Sequence, residues 1–385
     1  MVARVVGSSR AVDFAVVLRR DIQVPQEFKM PPARVARVAE RLRHYLYRLH
    51  QRSAPPPLAV LEMILGAWVA QAIQAAAELG IADALAERPL PLDELARRVD
   101  ADPDALKRLM RALISRGMFR ERRGRYELTA LAEPLRSDAQ YSMVGWARFV
   151  GSPQHREHWS DLVASVRTGA PAIPRLRGKE PFEYLAGEPE FAAVFNDAMT
   201  CLSRLSVLAV VAGYSFDSYS TIVDVGGGHG ILLAGILEST PTARGVLYDL
   251  PDVVEGAPAL LAQRRIADRV RIEGGSFFDS VPPGGDAYVL KNVIHDWADE
   301  PAIEILRNVR EAAAPTSKLL LVEAVLPDHD RDFVGNWVDL EMLVQAGGHE
   351  RDIEQWRKLL QQAGFRLTQV VPTAVPLSVI EATPA

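Results

Sequence analysis

From Thr221 onward, short β-branched runs alternate with apolar stretches of helical length, and this alternation narrows the possible folds more than any other feature of the chain. "TIVDVGGGHG" reads as a strand ending in glycines and "ILLAGILEST" as a helix. "ARGVLYDLP" follows as a strand, "APALLAQRRIA" as a helix and "RVRIEGGSFF" as a strand. "DAYVLKNVIHDW" is a further strand, "EPAIEILRNVREAA" a helix and "SKLLLVEAVLP" a strand. Strands separated by helices of this length predict an α/β domain with a parallel sheet covered on both faces. No internal repeat or low-complexity segment interrupts the pattern.

In such sheets, ligands meet the carboxyl ends of the strands where the strand order reverses. The first strand delivers Gly226, Gly227, Gly228, His229 and Gly230 to that edge, preceded by Asp224. The spacing is G-x-G-x-G. The dinucleotide fingerprint G-x-G-x-x-G is not met, because its last glycine would fall on Ile231. The second strand ends in Asp249, where a carboxylate can accept hydrogen bonds from both hydroxyls of a ribose. Glycine loop and acid together predict an adenosine-bearing ligand. No Lys-Ser/Thr pair follows the glycines, which argues against a nucleotide triphosphate in a P-loop.

Composition bounds the rest. A net charge of −5 gives no reason to expect nucleic acid as the main partner. The single cysteine, Cys201, excludes an internal disulfide or a Cys-based metal cluster and fits a reducing, cytoplasmic setting. "AVDFAVVLRR" is too short in its apolar run for a signal peptide. The apolar window from Leu58 contains Glu62, Gln71, Gln74 and Glu78, so it predicts buried helices rather than a membrane span.

Residues 1–55 form a basic extension, with eleven Lys/Arg against Asp13, Asp21, Glu27 and Glu40, and "SAPPP" closes it like a linker. Over 56–140, "PLDELARRVDADPDALKRLMRALISRGMF" outlines a helix-turn-helix, and "RERRGRYELT" a small β-wing. Lys107, Arg108 and Arg111 could face DNA phosphates, or the winged helix could be a dimerisation scaffold. Residues 141–215 read as a helical connection contributing to a substrate pocket, and 216–385 as the cofactor domain.

Six segments occur in one order and at consistent spacings: "VDVGGGHG", "YDLPDVVEGAP", "GGSFF", "LKNVIHDWADE", "LLLVEAVLP" and "AGGHERD". With these the chain resembles the S-adenosylmethionine-dependent O-methyltransferases of the plant caffeic-acid type and their bacterial relatives that modify polyketides and other aromatic natural products. The resemblance covers roughly residues 58–375. It implies a Rossmann-like methyltransferase domain, a winged-helix dimerisation domain and a homodimer acting on a hydroxylated aromatic or polyketide-like acceptor. It implies that Gly226 and Gly228, with Asp224 before them, hold the methionine part of the cofactor. Asp249 would bind the ribose, Leu250 and Phe277 would flank the adenine, and Lys291 would stand close by. His295 matches the general base and Glu323 and Glu350 the acids flanking it. Phe195, Met199, Asp296 and Met342 match positions around the acceptor pocket. Two residues depart from the pattern: Ser276 stands where the family usually carries an acid for the adenine amino group, and Asn292 where the plant enzymes commonly carry tryptophan.

The chemistry is consistent with these positions. A phenol with a pKa near ten is mostly protonated at neutral pH, so an imidazole titrating close to pH 7 is a useful base during attack. His295 lies just beyond one strand, and Glu323 ends another at the same sheet edge. Glu323 is therefore the expected partner of the second ring nitrogen, with Asp296 diverging from its neighbour. His229, His329 and His349 show no HxxxH-like spacing and the displacement needs no Lewis acid, so no metal is expected. Two alternatives stay open: a relative that binds the cofactor but supports hydroxylation or decarboxylation, and a winged-helix regulator with the cofactor domain as sensor.

Overall fold

The computed structural model describes residues 30–327 and 333–385. Most of the basic extension, up to residue 29, and His329 lie outside the described residues. The described chain divides into two compact units, residues 75–142 on the one hand and 30–74 with 143–385 on the other.

The smaller unit is a winged helix. Helix Pro103–Ser115 starts where Asp102 accepts a hydrogen bond from the Ala105 amide at 2.8 Å, with proline at the first helical position. Leu106, Met110 and Leu113 recur at helical spacing on its buried face, and Lys107, Arg108 and Arg111 lie exposed opposite. Strands Phe119–Arg122 and Arg125–Leu128 form the wing. Arg122 pairs with Arg125 across a two-residue turn whose residues, Arg123 and Gly124, both have positive φ (51° and 74°), the combination that matches the twist of a hairpin.

In the larger unit, helix Ala33–Arg52 buries none of its residues. Val35, Val38, Leu42, Tyr45, Leu46 and Leu49 form an exposed stripe along it. Helix Pro56–Glu78 is one of two among the described residues that are long and apolar enough to cross a membrane, the other being Pro189–Gly213. The apolar window from Leu58 is not interior, contrary to the sequence expectation: within the single chain only Ala76 and Ala77 of its helix are buried, while Leu61, Ile64 and Trp68 face outward. The sequence pattern shows that a face is apolar, but not whether its cover comes from the same subunit.

A seven-stranded sheet organises the remainder. Its strands are β1 (Thr221–Val225), β2 (Arg244–Asp249), β3 (Val270–Gly274), β4 (Ala287–Lys291), β5 (Lys318–Glu323), β6 (Phe365–Pro372) and β7 (Ser378–Pro384). The order is β6-β7-β5-β4-β1-β2-β3. β1 to β5 are parallel, and β7 runs antiparallel to both its neighbours. Alternation distributes the core: Tyr288 and Leu290 of β4 enter the layer containing Leu306 and Trp356, whereas Ala287 and Val289 enter the layer containing Leu233 and Ile236. After β3 the chain returns to the other side of β1 to form β4. The strand order therefore reverses between β1 and β4, and their carboxyl ends bracket the crevice where such sheets bind ligands.

Candidate active site

The loop leaving β1 depends on glycine. Gly226, Gly228 and Gly230 have φ of 68°, 59° and 83°, a region that L side chains rarely adopt. At Gly226 a Cβ would also come within 2.8 Å of Val293 Cγ2. The Gly228 amide donates to Oδ2 of Asp249 at 2.7 Å, and the Leu250 amide to its Oδ1 at 2.7 Å. Each carboxylate oxygen still has a lone pair to offer a ligand. Burial raises the Asp249 carboxyl above its ordinary range, partly offset by those two amides.

Asp224 closes the floor. It is buried, its Oδ2 has no hydrogen-bond partner, and burial pushes its carboxyl up to about 7 against the pull of Lys291. Lys291, at the end of β4, is lowered by burial and donates from Nζ to Ser203 Oγ at 3.1 Å. Ser276 and Phe277 line the same cavity of about 430 Å³. Phe195, Met199, Phe182 and Leu185 form its apolar wall, with Trp297 and Asp296 at the rim of the β4 loop.

The segment after β4 turns as a 3₁₀ helix, Ile294–Asp296. His295 is buried and is not among the residues lining the cavity. Its Nδ1 lies 2.8 Å from Glu350 Oε1 and 3.9 Å from Glu323 Oε2. Its Nε2 lies 3.5 Å from Asp296 Oδ1. This arrangement corrects the sequence expectation twice. The hydrogen-bond partner of the ring is Glu350 rather than Glu323, and Asp296 does not diverge from its neighbour. Glu323 is committed elsewhere, its Oε1 accepting from the amides of Val293 and Ile294 at 3.1 and 3.0 Å. Nor does the ring titrate near 7. Burial lowers it, but Glu323, Asp296 and Glu350 together outweigh burial and raise it to about 10. Burial, with Glu350, raises Asp296 to about 6 against the pull of His295. His295, Glu323 and Glu350 bring their ligand-type atoms within 4.8 Å of one another, a set that could also hold a metal ion.

Several parts of the site carry no clear sequence signal. Arg351 is fully buried and donates to the carbonyls of Ile294 (3.2 Å) and Trp297 (2.9 Å) and to Asp299 Oδ1 (2.8 Å), clamping the turn that carries His295. Trp297 stacks on Phe182 with ring centroids 5.5 Å apart. Met342, expected on the acceptor wall, is buried in helix Val334–Gln345 and does not line the cavity. Its neighbour Glu341 accepts from Trp159 Nε1 at 2.5 Å and lies 3.0 Å from His155 Nε2.

A glycine loop joined to a second-strand acid at the switch point defines a Rossmann-like methyltransferase cleft. The residues present fit S-adenosylmethionine. The loop offers bare backbone, Asp249 offers free lone pairs to ribose hydroxyls, and the orphaned Asp224 oxygen is a buried acceptor for a cationic ammonium. Residues 159–366 match the O-methyltransferase domain family and residues 61–138 its O-methyltransferase dimerisation domain. The phenazine O-methyltransferase PhzM of Lysobacter antibioticus is 43% identical over 338 residues, 87% of this chain and 99% of that protein. O-demethylpuromycin-O-methyltransferase of Streptomyces alboniger is 38% identical over 84% of this chain and 88% of its own length. The crystal structure of LaPhzM superposes with a TM-score of 0.83 at 43% identity, covering 86% of this chain and all of that one. Human N-acetylserotonin methyltransferase in complex with SAM gives 0.80 at 26% identity, over 86% of this chain and 98% of that one. The chain belongs to the S-adenosylmethionine-dependent O-methyltransferases.

Proposed function

We propose that the protein methylates a hydroxyl of an aromatic or polyketide-like small molecule, as a cytoplasmic homodimer, with the His295–Asp296 pair as its general base. The single observation carrying this reading is that Asp296 lines the cleft while His295 stands 3.5 Å behind it, itself held by Glu350.

When bound, S-adenosylmethionine supplies an activated methyl group on an excellent sulfonium leaving group. Gly226, Gly228 and Asp249 fix the donor, and the apolar wall of Phe195 and Met199 excludes water around the acceptor. The proton of the acceptor hydroxyl would pass to Asp296, which the neighbouring imidazole backs. Glu350 holds that imidazole in its orientation, and the charges of Glu350 and Glu323 stabilise its positive form. The exposed Leu61, Ile64 and Trp68, on a helix that enters the matched dimerisation domain, support the homodimer.

The test is incubation of S-adenosylmethionine with a library of phenols and hydroxylated polyketides, reading S-adenosylhomocysteine release, and light scattering for the dimer. Release tied to O-methylated product supports the reading. Cofactor binding with no methylated product across the library, or a monomer at micromolar concentration, contradicts the corresponding part.

A further inference from the structure

The matched dimerisation domain begins at residue 61, so helix Ala33–Arg52 lies ahead of what that family accounts for. Val35, Val38, Leu42, Tyr45 and Leu49 recur along it at alternating steps of three and four residues, the a/d spacing of a helix that packs along one seam. Each is 45–65% exposed in the single chain. The helix carries six arginines against one acid, Glu40, so it is strongly basic.

The helix that follows has the complementary character. Pro56–Glu78 carries Glu62 and Glu78 and no lysine or arginine. Leu58, Val60, Leu61, Met63, Ile64 and Trp68 project around its circumference and are 49–74% exposed. A helix apolar on every side needs cover on more than one side, and a single symmetric contact between two such helices covers one. Within one chain the two helices meet at their elbow, where His50 Nε2 lies 3.4 Å from Glu62 Oε2 and Gln51 Nε2 lies 3.6 Å from Met63 Sδ, and the stripe stays open. Charge along the whole sequence favours a second copy as the cover. Residues 1–55 hold eleven Lys/Arg and four acids, and thirty-three Lys/Arg and forty-five acids remain in 56–385, so a second copy presents an acidic body to the basic helix.

We propose that helix Ala33–Arg52 is an exchanged clasp: in the dimer its apolar stripe lies along helix Pro56–Glu78 of the second copy. This rests on the homodimer reading and adds to it an interface outside the matched dimerisation domain. A helix of this length pairs weakly on its own. Once the dimerisation domain holds two copies together, its docking is intramolecular and a short stripe suffices.

The test compares the full chain with a double variant, Leu42→Gln with Leu49→Gln, by sedimentation velocity over a dilution series. The dimer Kd should rise at least about a hundredfold, since each dimer loses four buried leucine side chains. Calorimetry with S-adenosylhomocysteine should give the same cofactor affinity for both proteins, which shows that the variant subunit is folded. A benzophenone amino acid in place of Leu46 locates the contact. In a dimer reassembled from heavy-nitrogen-labelled and unlabelled chains, its photocrosslinks should join residues 56–78 of one chain to the helix of the other. A wild-type monomer would overturn the homodimer reading and this inference together. A wild-type dimer whose Kd the double variant leaves unchanged, or crosslinks confined to a single chain, would overturn the inference alone. So would flotation of the wild type with vesicles of equal phosphatidylserine and phosphatidylcholine that the double variant loses while its dimer Kd is unchanged, because the stripe would then serve a membrane surface.

Discussion

The Gly228 amide reaches Oδ2 of Asp249 across 2.7 Å, so the loop after the first strand is tied to the acid that ends the second. Asp249 therefore has two tasks: it shapes the glycine loop and it offers the oxygens expected to meet the ribose. Asp249→Ala removes both. A hydrogen bond to a charged group contributes about 1.5–3 kcal/mol, so affinity for S-adenosylhomocysteine should fall roughly ten- to a hundredfold in calorimetry. An unchanged affinity would remove Asp249 from the cofactor site.

His295→Gln should leave cofactor binding near wild type while methyl transfer falls by roughly 10²–10⁴. Glutamine keeps a donor toward Glu350 but lacks the imidazolium charge that stands behind Asp296. Parallel measurement of S-adenosylhomocysteine affinity separates the two outcomes, and equal loss of both would assign His295 a structural role.

Stability should decline as the medium becomes alkaline. The folded chain raises His295 from 6.5 to about 10, so its contribution is complete below about 6.5 and is lost as pH climbs through about 10. Asp296, raised from 3.8 to about 6, acts in the same direction at lower pH, because the fold favours its protonated form. The melting temperature of the wild type should therefore fall between neutral and strongly alkaline pH, and His295→Gln should flatten that slope. Calorimetric scans across the range test this, and identical slopes would contradict it.

The rate of methyl transfer should rise with pH through the titration of the group that faces the acceptor. If Asp296 receives the proton, kcat/KM has an ascending limb near its value of about 6. Asp296→Asn should abolish that limb and lower kcat. A limb near 10 in both proteins would instead point to His295 acting alone.

Gly348 packs against the turn that carries the proposed base. A Cβ there would overlap the carbonyl oxygen of His295 and the carbonyl carbon of Asp296. Backbone atoms cannot rotate aside as a side chain would, so Gly348→Ala must displace the turn. Methyl transfer should drop by about a hundredfold or more, by analogy with misplacing a reacting group by an ångström, with cofactor affinity much less affected. Kinetics alongside calorimetry would reveal the split.

The parallel strands were readable because strands covered on both faces are continuous apolar runs, as in "LLLVE" and "AYVLK". The glycine loop and Asp249 were readable because their spacing answers to one ligand. β6 and β7 were not foreseen; "FRLTQVVP" mixes polar and apolar residues along a partly exposed strand. The mutual orientation of His295 and Asp296 was misread for a definite reason. Strand side chains alternate between faces, but these two sit on a 3₁₀ turn with three residues per revolution. Glu350 and Arg351 reach the site from over fifty residues downstream, and local pattern cannot announce a buried arginine of that kind. Asn292, where the plant enzymes commonly carry tryptophan, has φ of 51°, a conformation that asparagine adopts at lower cost than most residues.

Helix Ala33–Arg52 contributes no buried side chain. Trimming it would leave the interior of the subunit as it is. Any selection that keeps its leucines and tyrosines in register must therefore act through something the lone subunit does not itself provide.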